Sequence, residues 1–511
     1  MPGTSANNIR IVKNTLYLYV RMFVTMAIGL ITSRVILKTL GVDDFGIYNI
    51  VGGVVILFSF ISNSLRNATQ RFLSYELGKK NEKGLRQILN VSISCHVLIG
   101  IVLLILSETI GLWFVKTQLN IPVERQYAAD WVYQFSILTF LLHIFQVPYN
   151  ATIISYEKMS FYAYVSIVEV LLKLGIVYLL LVASWDKLIV YSALVSVVAF
   201  IILIMNAGYC RWKLKTGKLI LGYNKELFGR LMRFSGWSMV NGSSILFAQQ
   251  GGNILLNIFK GISANAAFGI ANQVTNAVYA FVSNFQYAFQ PQIVKLYALG
   301  NKAELYKLIN RTSSVSFYLL LLIAIPFSIE ADYVIKLWLG TVPAYSANFC
   351  ILMIVYFLLD SIQAPLWMLI YGTGEIKTYT LWTASLTILN IPISLLLLKC
   401  GYSIYSVFYV RVLLNIACCC YRVFYIKRYT GFPGTAYLKN VILRASLVAV
   451  IAGSISLLIK HQQLISYIHP ILVVLLSIII TFLSIWFLGF SPKDKIAVKS
   501  LIKSKFNHGI E

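Results

Sequence analysis

Apolar runs long enough to cross a bilayer recur along this 511-residue chain, separated by short polar segments, and this rhythm predicts the elements. A hydrocarbon core of ~30 Å needs about 20 helical residues, and the runs have that length. Backbone groups in lipid must pair within their own segment, so such runs predict helices. A membrane barrel would show alternating segments of about ten residues instead. The expected spans fall at 13–38, 46–72, 87–107, 130–150, 161–183, 188–208, 234–258, 266–290, 313–329, 348–371, 379–398, 404–421, 441–459 and 470–489. The fold class is therefore an all-α polytopic membrane protein of about fourteen transmembrane helices.

Internal repetition organises these spans. Phe45-Gly46-Ile47 precedes Tyr75-Glu76-Leu77-Gly78, and Phe268-Gly269-Ile270 precedes Tyr297-Ala298-Leu299-Gly300 at nearly the same distance. A second match holds one constant offset. Leu141-Leu142-His143-Ile144-Phe145-Gln146-Val147-Pro148 lies over Leu358-Leu359-Asp360-Ser361-Ile362-Gln363-Ala364-Pro365, and Tyr162 over Tyr379. Two pseudo-symmetric six-helix lobes follow, at 1–208 and 234–428, joined by a basic linker at 209–233. The segment 429–511 adds two further helices and a basic tail. Lobes of even span number enter from the same side, which predicts an axis along the membrane normal and a site between the lobes near mid-membrane.

Composition agrees: 59% of residues are hydrophobic and only 12% charged, where a soluble chain carries about a quarter. The net charge of +25 invites a nucleic-acid partner, but its distribution argues against one. Most of the Lys and Arg fall on one side, most heavily in Lys79–Arg86, Arg211–Arg233 and the tail from Lys493 to Lys505. The positive-inside rule places that side, and both termini, in the cytoplasm. The first apolar run is too long for a cleavable signal peptide and is interrupted by Arg21 and Arg34. Cys418-Cys419-Cys420 is not a metal-ligand spacing, and its residues read as small packing side chains.

Ser33-Arg34, then Leu40-Gly41-Val42-Asp43-Asp44-Phe45-Gly46-Ile47-Tyr48, resembles the first-to-second-helix signature of polysaccharide-repeat flippases. Asn67-Ala68-Thr69-Gln70-Arg71-Phe72 and the Leu-Gly-Lys that follows strengthen the likeness. These flippases belong to the multidrug/oligosaccharidyl-lipid/polysaccharide exporter superfamily. The resemblance implies a V-shaped pair of lobes, alternating access and an undecaprenyl-pyrophosphate-linked saccharide as cargo. It further implies the bacterial inner membrane, and partnership with a polysaccharide polymerase and chain-length proteins. The motifs do not identify the sugar, nor whether O-antigen, capsule or exopolysaccharide is served.

Ionisable groups at the bilayer centre cost ~2.5–3.5 kcal/mol each on the insertion scale, so they face protein or water. Arg21 in the first span and Arg66 and Arg71 in the second are expected at the height where an inner-leaflet pyrophosphate arrives. Guanidinium suits that group because its planar fork makes paired charge-assisted hydrogen bonds. Snorkelling to the headgroups is the plainer reading of Arg66 and Arg71. Arg34 is expected near the outer end, beside a turn at Leu40-Gly41, either releasing cargo or packing. Glu169 and Lys173 share a helix face and can neutralise each other; alternatively Lys173 opens to an anionic headgroup. Asp360 and His143 occupy equivalent positions. Asp360, with Glu169, is a candidate for a coupling H+ or Na+, and Arg411 is a plausible partner for Asp360. Asn241, Gln249 and Asn253 in the seventh span, with Asn272 and Asn276 in the eighth, either bond the two helices or face a glycan. No cofactor beyond the coupling cation is expected.

Two other functions compete. A multidrug or cation antiporter of the same superfamily would be expected to carry an acidic cavity, whereas the intramembrane charge here is mostly basic. A membrane glycan polymerase would be expected to place reactive groups on a large external loop. The outer loops are short, and no Walker, zinc or nucleophile constellation appears.

Overall fold

A computed structural model describes residues 4–56, 59–118, 121–182, 185–216, 224–340, 342–466, 469–490 and 495. The described residues are almost wholly helical. In chain order the long helices are α1 (Thr4–Ile56), α2 (Ser59–Gly78), α3 (Glu82–Leu106), α4 (Gln126–Ser155), α5 (Met159–Val182), α6 (Lys187–Trp212) and α7 (Lys225–Lys260). They continue as α8 (Ile262–Ala298), α9 (Lys302–Ile329), α10 (Ser346–Thr373), α11 (Lys377–Lys399), α12 (Ser406–Thr430), α13 (Arg444–Ser466) and α14 (Pro470–Ser484). Eleven helices among the described residues are long and apolar enough to cross a membrane. The other three expected spans, 46–72, 234–258 and 266–290, are helical wherever they are described. Two of them lie in α7 and α8, where amides dilute the apolar content. The third includes residues outside the description.

The expected turn at Leu40-Gly41 does not form. The backbone stays helical through all 53 residues of α1. No proline lies in this stretch, and an interior glycine costs a helix only about 1 kcal/mol, so nothing local forces a break. Arg34 therefore sits within a continuous helix, its side chain outside the described residues. Much of the linker, 217–223, and the tail from Lys493 onward, apart from Lys495, also lie outside.

The chain divides into two compact units. One runs from Ile11 to Gly242, and the other from Ser243 to the end with the first ten residues. In the first, α4 packs against α2, α3, α5 and α6. In the second, α10 packs against α8, α9 and α12. Matched sequence positions take matched roles. Pro148 and Pro365 lie inside α4 and α10. Glu157 and Gly374, which close the turns after those helices, both have left-handed backbone (φ 59° and 87°). Asn81 and Asn301 each cap the following helix by accepting a backbone N–H, from Gly84 and Glu304.

Close helix approach in the second unit depends on Gly251, where a Cβ would meet Ile391 Cδ1 of α11 at 2.5 Å. The helices α13 and α14 pack on each other and on α9. Lys460 reaches from α13 to the Ile329 carbonyl and lies 3.9 Å from the Glu330 carboxylate.

The first unit carries a three-way ion cluster that accounts for one residue of the signature. Arg125 donates from Nε and Nη2 to the two Asp44 oxygens at 2.9 and 2.6 Å, and from Nη1 to Asp186 at 2.6 Å. Asp186 also caps α6 through the Leu188 and Ile189 amides. Partial burial pushes the Asp186 carboxyl upward, but Arg125 and those amides outweigh it and hold it below the usual carboxylate value. Its stabilisation is thus complete above the ordinary carboxylate range and fades as pH falls through the lowered value. Arg125→Ala should cost about 1–2 kcal/mol at neutral pH. Thermal unfolding of the variant and the wild type should converge in strong acid; an equal deficit at every pH would contradict this.

Candidate functional site

In the first unit a set of polar side chains comes from α2, α3, α4 and α5. His143 on α4 pairs through Nδ1 with Gln146 Oε1 at 3.3 Å. On α5, Lys173 Nζ donates to Glu169 Oε1 at 2.7 Å, the four-residue neutralisation expected of that spacing. Glu169, Lys173 and Arg66 all lie within electrostatic range of His143. The Nε of Arg66, from α2, is buried with no hydrogen-bond partner. Arg66 is also within electrostatic range of His96 on α3, a fully buried histidine outside the predicted set. One His96 nitrogen lies 2.7 Å from the Ser92 carbonyl, and the other has no partner. The Thr69 and Ser92 hydroxyls, 2.7 Å apart, tie α2 to α3 beside it. This patch is net cationic and holds buried N–H groups, which suits an anion.

The other two arginines sit in aromatic settings. The Arg21 guanidinium stacks over the Tyr162 ring at 4.9 Å. That of Arg71 lies over Phe72 at 4.5 Å and Tyr75 at 5.2 Å, with Phe234 at 6.0 Å. A desolvated cation over a ring face gains about 0.5–2 kcal/mol, so stacking holds each guanidinium in a defined place.

The second unit assembles a different network. The Asp360 carboxylate accepts a hydrogen bond from Tyr279 of α8 at 3.1 Å and lies 3.8 Å from Arg422 of α12. Arg422 in turn donates to Gln363 Oε1 at 2.7 Å and to the Tyr379 hydroxyl at 2.9 Å. Gln363 completes its bonding by donating to Asn415 Oδ1. Four helices, α8, α10, α11 and α12, are thus stitched around one half-buried ion pair. The partner of Asp360 is Arg422, not Arg411, whose guanidinium stacks on Tyr356 at 4.2 Å. Arg422 lies one position beyond the expected twelfth span, 404–421, and so outside the set of intramembrane charges that the pattern picks out. The helix runs on to Thr430, since the charge is neutralised inside the unit rather than left in lipid.

Among the amides, Gln249 of α7 donates to Asn272 Oδ1 of α8 at 3.0 Å and holds those helices together. Asn276 is exposed; Asn241 and Asn253 are half-buried, in different units.

In each unit the positions matched at constant offset meet the polar cluster. His143 and Gln146 lie in one, Asp360 and Gln363 in the other. Tyr162 and Tyr379 each hold an arginine, by stacking in one case and hydrogen bonding in the other.

Comparison with known proteins fits this architecture. A structure described as "Crystal structure of MATE in the bent conformation" superposes with a TM-score of 0.69 at 14% identity, covering 85% of this chain and 96% of that one. Another is described as "Reverse polarity of binding pocket suggests different function of a MOP superfamily transporter", from Pyrococcus furiosus. It gives 0.63 at 13% identity, covering 83% and 96%. The "Uncharacterized membrane protein EpsK" of Bacillus subtilis (strain 168) is 23% identical over 424 residues, 80% of this chain and 81% of that protein. The family described as "Polysaccharide biosynthesis protein" matches residues 11–297, more than half of the chain, and to that family of membrane proteins this chain belongs.

Proposed function

We propose that the protein is an alternating-access flippase. It moves undecaprenyl-pyrophosphate-linked oligosaccharide units from the cytoplasmic to the periplasmic leaflet of a bacterial inner membrane, for surface polysaccharide synthesis. The observation that carries this reading is the polysaccharide-biosynthesis family match on a chain that shares its fold with MATE transporters. The charge inside the first unit supports it: Arg21, Arg66 and Arg71 supply cations, and the Glu169 carboxylate is taken up by Lys173. A pyrophosphate requires such positive charge, whereas a cationic drug would be repelled by it.

The glycan is assigned to the neutral amides of α7 and α8, which offer both donors and acceptors to hydroxyls. Asp360 and Glu169 are the carboxylates that would load a coupling H+ or Na+. Each already faces a protein cation, so loading means displacing Arg422 or Lys173. Polymerase and chain-length proteins are the partners that would receive the cargo.

Deleting the protein should abolish surface polysaccharide and leave lipid-linked saccharide on the inner leaflet, with restoration by the intact chain. A reporter fused after Lys307 should read cytoplasm and one after Lys116 periplasm. Unchanged surface polysaccharide together with altered drug tolerance would favour the antiporter instead.

A further inference from the structure

A second cationic site lies in the second unit, away from the polar cluster around Asp360. The first turns of α9, the start of α13 and the end of the α14 segment enclose a crevice of about 760 Å³. Its lining includes Lys307, Asn310 and Arg311 from α9, Lys439 from the turn before α13, and Arg444 at the head of α13. Four cations from two chain segments therefore converge on one cavity, and the described residues place no carboxylate in its wall. Like charges gathered this way repel one another, and an anion that joins them relieves the repulsion.

The five polar groups have distinct duties. Arg444 is committed to structure: its Nε donates to the Leu488 carbonyl at 2.7 Å, closing the end of α14 against α13. Lys307 and Lys439 are exposed and make no salt bridge with any described carboxylate. Asn310 has a buried side-chain oxygen with no hydrogen-bond partner. An unpaired acceptor is not satisfied by phosphate oxygens, which only accept; it needs a hydroxyl or ammonium donor. The remaining lining is apolar, with Val315 and the exposed Leu447 leading away along α9 and α13.

Cations, one orphaned acceptor and an apolar exit describe a phospholipid rather than a soluble anion. We propose that this crevice binds one anionic phospholipid with a hydroxylated headgroup. Its phosphate is held by Lys307, Arg311 and Lys439, its headgroup hydroxyl donates to Asn310, and its acyl chains lie along Val315 and Leu447. The crevice volume falls in the range of built small-molecule sites. The bound lipid bridges α9 to the two C-terminal helices and neutralises the cations that would otherwise push those segments apart. The site depends on local chemistry alone and holds whatever cargo the protein carries.

The test is native mass spectrometry of the full-length protein in a neutral detergent, titrated with phosphatidylglycerol. One saturable lipid per chain is expected, with phosphatidylcholine binding at least tenfold more weakly. Lys307→Gln with Lys439→Gln should weaken phosphatidylglycerol at least tenfold. Both residues are exposed, so the variant should fold. Lys307→Arg with Lys439→Arg should retain binding, and Asn310→Leu should erase the preference for phosphatidylglycerol over phosphatidic acid. Equal affinity in the wild type and the double glutamine variant would overturn the proposal. So would displacement of the lipid by millimolar inorganic phosphate, or selective binding of a polyprenyl phosphate in its place.

Discussion

Arg422→Ala should destabilise the protein by about 1.5–3 kcal/mol, because it leaves the half-buried Asp360 carboxylate without its counter-charge. The loss is compounded: Gln363 and the Tyr379 hydroxyl each give up a charge-assisted bond of 2.7–2.9 Å from the same guanidinium. Fluorescence-detected thermal unfolding in detergent should show a large drop in midpoint. Asp360→Asn with Arg422→Gln removes both charges together and should recover much of it, since amides can still bond across the same helices. An Arg422→Ala midpoint equal to that of the wild type would remove the pair from the stability of this unit. The Asp360→Asn single variant then separates clamp from coupling. A clamp leaves transport dependent on the same ion gradient, whereas a coupling site loses that dependence while the protein remains in the membrane.

Arg66→Ala, alone or with Arg21→Ala, is expected to build up lipid-linked saccharide on the cytoplasmic leaflet, with normal amounts of protein in the membrane. A charge-assisted contact contributes about 1.5–3 kcal/mol, roughly ten- to over a hundred-fold in affinity for a pyrophosphate. Arg66 should be the more sensitive of the two. The Arg21 guanidinium is held in place by the Tyr162 ring as well, which leaves it less free to follow a ligand. Lysine at position 66 should rescue only in part, because a point charge cannot reproduce the planar fork. Asn276→Leu should change which glycans are accepted more than it changes flux. Membrane blots paired with surface-glycan measurement provide the readout. Full surface polysaccharide in the double alanine variant would exclude these arginines from the transport path.

Several features of the fold and of the polar clusters could be read from single segments. The apolar runs set the helices because length and burial of a backbone in lipid are local properties. The constant offset between His143 and Asp360, and between Tyr162 and Tyr379, already pointed to paired positions: the first two lie in the polar clusters of their units, and the two tyrosines each hold an arginine. The Glu169–Lys173 pair was also legible, since four residues on a helix place two side chains together. Local patterning failed where the deciding contact was distant. Leu40-Gly41 looked like a turn, yet helix continues through it. Asp44 looked like part of a loop signature, and its meaning lies in Arg125, 81 residues away. Arg422 looked like the charged edge of a span, because only Asp360, Gln363 and Tyr379 make its burial tolerable.

The sequence by itself determined the helical class, the approximate span positions, the internal repetition and the cationic bias of the first half. Each of these depends on spacing, length or net charge within a short stretch. Tertiary structure alone decided which charge meets which partner: Arg422 rather than Arg411 for Asp360, an aromatic ring for Arg21, and the neighbourhood of His96 and His143 for Arg66. A buried charge is stabilised or stranded by whatever lies within a few ångströms, and in this chain those neighbours come from other helices.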